Sequence, residues 1–264
     1  MSATSATHRI HTSPLRHYRK QHSTSKGNVS FQVVLEETDL WITAPKLMQE
    51  EAAKLVRTLR GQIVSWIAIC PSFAHSLTPV EVPEHAPEVV RRMAAGAALL
   101  EVGPMAAVAG TVAQMVAEGL LRLLQKRAEK NCSKQFDILV ENGGDIFMFS
   151  PHPRTVGLLP DPESDSVIGL VIPAEAMPLS VCSSSATIGH SLSLGTGDLV
   201  SVVASDASIA DAAATAFCNM LKNADDVTRV TDRAAQLQAH GIRAVFAQCA
   251  GKIGVWGDIE LTAI

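Results

Sequence analysis

Apolar residues recur along this chain with two different periods, and the changes of period outline its elements. Val29, Phe31, Val33 and Leu35 alternate with more polar neighbours, as in a half-buried strand. A turn at 36–39 and a returning strand at 40–43 complete a predicted hairpin. Pro45 then opens a helix, at a position where its missing N–H does no harm. Leu55, Val56, Leu59, Ile63 and Ile67 form the apolar stripe of that helix, which ends near Cys70. An irregular connection over 79–87 leads to two more predicted helices, 88–102 and 105–128. The second begins with Ala106, Ala107, Ala109 and Gly110, small residues that admit a close backbone or a ligand. Strands at 136–140 and 146–149 flank a tight turn at 141–145, where Asn142-Gly143 is a strong hairpin signal. A proline-rich bridge precedes a strand at 166–172, and a hydroxyl-rich loop spans 181–191. A strand at 199–204 runs into a helix carrying Asp211 and Thr215. A further helix over 230–239 stops at His240-Gly241, and strands at 242–248 and 253–261 close the sequence.

The order strand, strand, helix, helix, strand, strand is therefore expected twice, at 29–149 and 166–261. The Gly143-Gly144 turn has its counterpart at Ala250-Gly251. The predicted architecture is α+β, a duplicated ββααββ unit of antiparallel sheets with helices packed on one face and a cleft between the halves. Residues 1–28 are expected to be a polar basic tail, 29–150 the first half and 151–264 the second, in one compact unit.

Composition narrows the function classes. Of 264 residues 47% are hydrophobic and 18% charged, which suits a folded globular chain. Aromatic residues make up 4% and the net charge is −4, so neither a stacking surface nor a basic field for nucleic acid is expected. The most apolar tract, 94–121, is interrupted by Glu101, Pro104, Gln114 and Glu118 and reads as buried helix, not as a membrane span. Five scattered cysteines without a CxxC pair suit a reducing compartment, and the expected location is the cytoplasm.

Asp211 and Thr215 stand four residues apart, on one face of a helix. A carboxylate and a hydroxyl so placed either hold a hard cation against a phosphate or serve the helix itself, through its dipole and by bonding to the preceding turn. Gly143 and Gly144, between Glu141, Asn142 and Asp145, either make a plain turn or expose N–H groups to an anion. Ser184, Ser185, Thr187, Gly189, His190 and Ser191 either form a solvated loop or line a phosphate or carboxylate pocket.

Four stretches together resemble an uncharacterised family within the ApbE superfamily, from about Tyr18 onward. They are Glu101-Val-Gly-Pro-Met-Ala-Ala-Val-Ala-Gly110, Val140-Glu-Asn-Gly-Gly-Asp-Ile146, Thr187-Ile-Gly-His-Ser-Leu-Ser193 and Ala210-Asp-Ala-Ala-Ala-Thr215. The better-known relatives are the FAD:protein FMN transferases, and the resemblance implies a duplicated fold related to the T-fold. It also implies a divalent metal, Mg²⁺, at Asp211 and Thr215, and FAD or FMN in a cleft lined by Gly143 and Gly144. Met105 falls in the first motif and counts among the residues expected to line that cleft. His190 is expected as an acid/base or phosphate ligand, with Asp211 the other catalytic candidate. The transferases carry a Lys-Gly pair before their Gly-Gly turn, whereas residues 107–110 here contain no lysine.

Three functions compete. The first is a cytoplasmic protein that binds a flavin or another nucleotide or phosphate ligand with a divalent metal, as a transferase or a pyrophosphate-cleaving enzyme. The second is a sulfur-handling enzyme or partner that uses Cys182, its thiolate favoured by His190. The third is a non-catalytic binding or assembly protein, in which an exposed sheet edge at 29–35 or 253–261 pairs across a homodimer.

Overall fold

In the computed structural model, which describes residues 27–127, 136–158, 168–186 and 195–264, eleven strands and six α-helices are formed among the described residues. Eight strands make one sheet: β1 (Val29–Leu35), β2 (Thr38–Ala44), β3 (Ile138–Asn142), β4 (Asp145–Phe149), β7 (Leu179–Ser184), β8 (Leu199–Ala204), β9 (Ile242–Cys249) and β10 (Lys252–Gly257), in that spatial order. Every neighbouring pair is antiparallel. β5 (Arg154–Leu158), β6 (Ile168–Ile172) and β11 (Glu260–Ala263) form a second sheet in the order β11, β6, β5.

Helices cover one face of the large sheet. α1 (Gln49–Ile69) packs on β1, α4 (Val108–Arg127) on β3 and β4, α5 (Ala207–Met220) on β7 and β8, and α6 (Asp226–Gln236) on β9 and β10. α2 (Ser72–His75) is a single turn after α1, and α3 (Glu88–Leu99) lies against α5. Ala52, Val56, Leu59, Ile63 and Trp66 are the buried stripe of α1, close to the stripe expected from spacing. By length and composition Pro104–Lys126 could cross a membrane, yet 67% of its apolar window is buried inside the fold.

The opposite face of the sheet also has a cover. Ile146, Met148, Leu179, Val181, Leu199, Val203 and Phe246 pack with Val156, Leu158, Leu170 and Ile172 of the small sheet into a second apolar cluster. The 166–172 strand therefore belongs to the small sheet, not to the main one. The serines of 181–184 are in a strand, where Ser180 Oγ donates to Ala204 O at 3.0 Å and Ser183 Oγ bonds Ser201 Oγ at 2.8 Å. Such pairings let hydroxyls sit inside a sheet without an unmet hydrogen bond. The last expected strand divides at Gly257, whose φ of +95° turns the chain toward the small sheet. β4 pairs directly with β7, so one hydrogen-bonded sheet runs through both β1–β4 and β7–β10.

Phe246 is fully buried between the two sheets. Phe246→Ala should cost about 3–5 kcal/mol, read as a lower urea midpoint. A loss near zero would mean that the small sheet does not cover this face.

Candidate functional site

The β3–β4 hairpin closes through Gly143 and Gly144 with φ of +70° and +107°, and Asn142 pairs with Asp145. Both central residues need positive φ, as a two-residue type I′ turn demands. Side chains alternate along the strands, so Asn142 and Asp145 face the helices while Glu141 faces the other way. Glu141, 1% exposed, accepts the Gly144 N–H at 2.9 Å, so one of the two amides expected to cradle an anion already has an internal acceptor. Asn142 Nδ2 donates to Ala109 O at 3.1 Å and braces the hairpin against the start of α4.

Asp206, not Asp211, caps α5, accepting N–H bonds from Ser208 at 2.8 Å and Ile209 at 3.3 Å. Asp211 lies more than a turn further in and is buried. Its Oδ2 accepts the Gly110 N–H at 2.8 Å, and the Ala109 N–H bonds the same carboxyl. These are donors at the start of α4, which has no earlier turn of its own to use them. The approach is close because residue 110 is glycine: a Cβ there would stand 2.5 Å from Ala207 O and 2.9 Å from Asp211 Cβ. A Cβ at Gly96 on α3 would likewise stand 2.6 Å from Ser208 O.

Asp145 completes the cluster. Its Oδ1 accepts the Ser183 N–H at 3.2 Å, and Cys182 bonds its carboxyl. Burial pushes its pKa up to about 7, aided by the charge of Glu141 and opposed by those two hydrogen bonds. Asp211 is pushed well above the usual carboxylate range by burial and then by Asp145, against the Gly110 and Ala109 N–H groups. Cys182 is fully buried, its Sγ 3.8 Å from Ala207 O, and burial with Asp145, Asp211 and Asp206 nearby raises its pKa. The thiolate that a sulfur-handling role needs is thus disfavoured at this position.

Other expected residues fall as follows. Ser184 ends β7 with its Oγ buried and, among the described residues, without a hydrogen-bond partner, and Ser185 is buried beside it. Thr215 is half-buried one turn along α5 from Asp211, and Met105 is half-buried in a short 3-10 turn before α4. Thr187, Gly189, His190 and Ser191, with most of the basic tail, lie outside the described residues. The hairpin and α5 therefore meet at one place, and Asp145 and Asp211 are near enough to repel. The part that spacing does not disclose is the start of α4 as the partner of Asp211. Gly110 among small residues was its only trace.

A protein-family model described as AbpE bacteria matches residues 19–242. The UPF0280 protein of Methanocella arvoryzae is 36% identical over 224 residues, which cover 85% of this chain and 84% of that protein. The UPF0280 protein of Methanopyrus kandleri is 38% identical over 210 residues, 78% and 80% of the two chains. Among solved structures, the ApbE protein of Thermotoga maritima is similar with a TM-score of 0.58 at 15% identity, covering 88% of this chain and 96% of its own. The apo flavinyl transferase ApbE of Pseudomonas stutzeri gives 0.53 at 12% identity, covering 89% and 94%. The mixed α+β architecture of antiparallel sheets and helices is the ApbE fold.

Gly110→Ala should force α4 and α5 apart and cost about 1–3 kcal/mol in urea unfolding; an unchanged midpoint would refute the close approach. The raised pKa of Asp145 also has a sign. The folded state holds its proton more tightly than the unfolded state, so this contribution to stability is complete below pH 4 and is lost as pH rises toward 7. In chelator-containing buffer, the melting temperature of wild type should fall relative to Asp145→Asn between pH 5 and 7.5. Parallel pH profiles would show that Asp145 titrates normally.

Proposed function

The chain belongs to the AbpE bacteria family, and we propose that it binds a flavin nucleotide, FAD or FMN, together with a divalent cation and transfers or cleaves its phosphate-bearing part. What carries this reading is the meeting of two buried acids, Asp145 and Asp211, where burial raises the pKa of both and the charge of Asp145 adds to that of Asp211. Two acids forced together away from water are stabilised either by protons or by a shared cation, and oxygen donors select a hard one. The donor set fits Mg²⁺ of the kind that keeps part of its shell for water and substrate. Among the described residues no three His, Cys, Asp or Glu side chains gather as a complete cage. Asp211 would hold the ion, with Thr215 one turn along α5 and Asp145 across from it, leaving coordination positions for phosphate oxygens. Bound there, the cation would supply charge neutralisation at a pyrophosphate.

The chain's own groups have separable duties in this reading. The start of α4 steadies Asp211 through the Gly110 and Ala109 N–H groups. The orphan hydroxyl of Ser184 offers a donor to a ligand oxygen. Glu141 holds the Gly144 N–H and keeps the hairpin in shape for the ligand's approach. His190 is assigned the acid/base or phosphate contact from the hydroxyl-rich segment. The printed name of the Pseudomonas stutzeri protein, a flavinyl transferase, supports the flavin class through family likeness. We also read β1–β4 and β7–β10, each pair of hairpins enclosing helices, as two copies of one ββααββ unit. Free thiols at Cys70, Cys182 and Cys249 fit a cytoplasmic setting.

Calorimetry with FAD, with and without Mg²⁺, tests the reading. Wild type should bind in a Mg²⁺-dependent way, and Asp211→Asn should lose tenfold or more in affinity. Equal binding by that variant, or indifference to Mg²⁺, removes the proposal.

A further inference from the structure

The large sheet ends at β1 on one side and β10 on the other, and the two edges are finished differently. On β1, Gln49 Nε2 from the start of α1 donates to Gln32 O at 2.9 Å, so a backbone acceptor of that strand is already taken. β10 contains no proline, and its one charge, Lys252, stands at its first position. Ile253 and Val255, 49% and 39% exposed, lie on the same face of β10. An edge of this kind is a template for a further strand.

We propose that β10 pairs antiparallel with β10 of a second copy of this chain, across a two-fold axis through Gly254, to form a homodimer. Residues directly opposite one another in an antiparallel pair must share a face, which limits the registers a strand can make with itself. Centring on Gly254 sets Ile253 against the partner's Val255, and Val255 against the partner's Ile253, so both exposed apolar residues are covered twice over by one operation. On the other face Gly254 meets its own copy at the axis, and Lys252 and Trp256, two positions to either side, share that face. α6 sits there: a Cβ on Gly254 would be 2.4 Å from Val227 Cγ1 and 3.2 Å from Thr231 Cγ2. The middle of α6 therefore lies level with the axis and to one side of it, and the two-fold runs the helix antiparallel to its copy.

Charge agrees with that arrangement. Asp225, whose side chain is 98% exposed and whose Oδ1 is 3.6 Å from Lys252 Nζ of its own chain, precedes α6, and Arg233 lies in its last turn. Both are four residues from Arg229, so the two-fold brings Asp225 opposite the partner's Arg233 on each side. Arg229 itself is held by Asp226 of its own helix at 2.7 Å. The contact is the same patch on both copies, so assembly closes at two.

Sedimentation velocity of the full chain over a range of concentrations decides the matter. Wild type should sediment as a dimer, and Ile253→Lys and Val255→Lys should each weaken association at least tenfold. Both positions are exposed in the single chain, and circular dichroism checks that the fold persists. Arg233→Asp should weaken the dimer, and adding Asp225→Lys should restore it, a rescue that unspecific damage would not produce. Val34→Lys on β1 should leave the dimer intact. A wild type that stays monomeric, a dimer indifferent to both lysine variants, or one lost only with Val34→Lys would overturn the proposal.

Discussion

The closeness of α5 to α3 and α4 is the constraint on which the centre of this molecule depends. At Gly96 and Gly110 there is room for a hydrogen atom and for nothing larger. That contact carries Asp211 inward, where a carboxyl has lost its water and must be repaid with donors or a proton. The start of α4 provides the donors because its own first N–H groups have no partner within the helix. One structural necessity, a helix beginning inside the protein, is met by another, a buried acid.

Asp145 makes that arrangement unstable in a useful sense. A single buried carboxyl held by hydrogen bonds, as Asp211 is by two amides and Asp145 by the Ser183 N–H and the Cys182 thiol, can keep its charge, but two in mutual range cannot both do so without a counter-charge. The N–H groups that lower each pKa are outweighed by burial and repulsion. This polarity sets the site apart from the well-compensated ion pairs nearer the surface, such as Arg92 with Glu88 and Glu118. Those pairs are satisfied by their own neighbours, whereas the central acids retain an affinity for positive charge.

Much of the fold was legible in the order of residues, wherever local chemistry determines it. The Gly143-Gly144 turn, the stop at Gly241 and the passage from β8 into α5 are local events, and each stands within a residue or two of its expected place. β7 was hidden because serines carry no apolar alternation, and their suitability for a strand rests on partners across the sheet such as Ser201 and the Ala204 carbonyl. The small sheet was hidden for a related reason: β11 joins β6 from nearly ninety residues away, and no period in the sequence encodes that meeting. In the site, Asp211 and the hairpin could be singled out by residue type. The bond from Gly110 to Asp211 could not, since 101 residues separate them. Membership of the AbpE bacteria family places the whole arrangement on a known architecture and leaves the details to this chain's own side chains.

The ladder between β4 and β7 has three paired positions, Ile146 with Val181, Phe147 with Ser180 and Met148 with Leu179, against five for β3–β4 and for β7–β8. It is the shortest rung set in the large sheet, and it joins β1–β4 to β7–β10. Asp145 stands just beyond its end on β4, and Asp211 stands on α5. Whatever neutralises these two acids therefore ties β4 to α5 beside the shortest ladder of the large sheet.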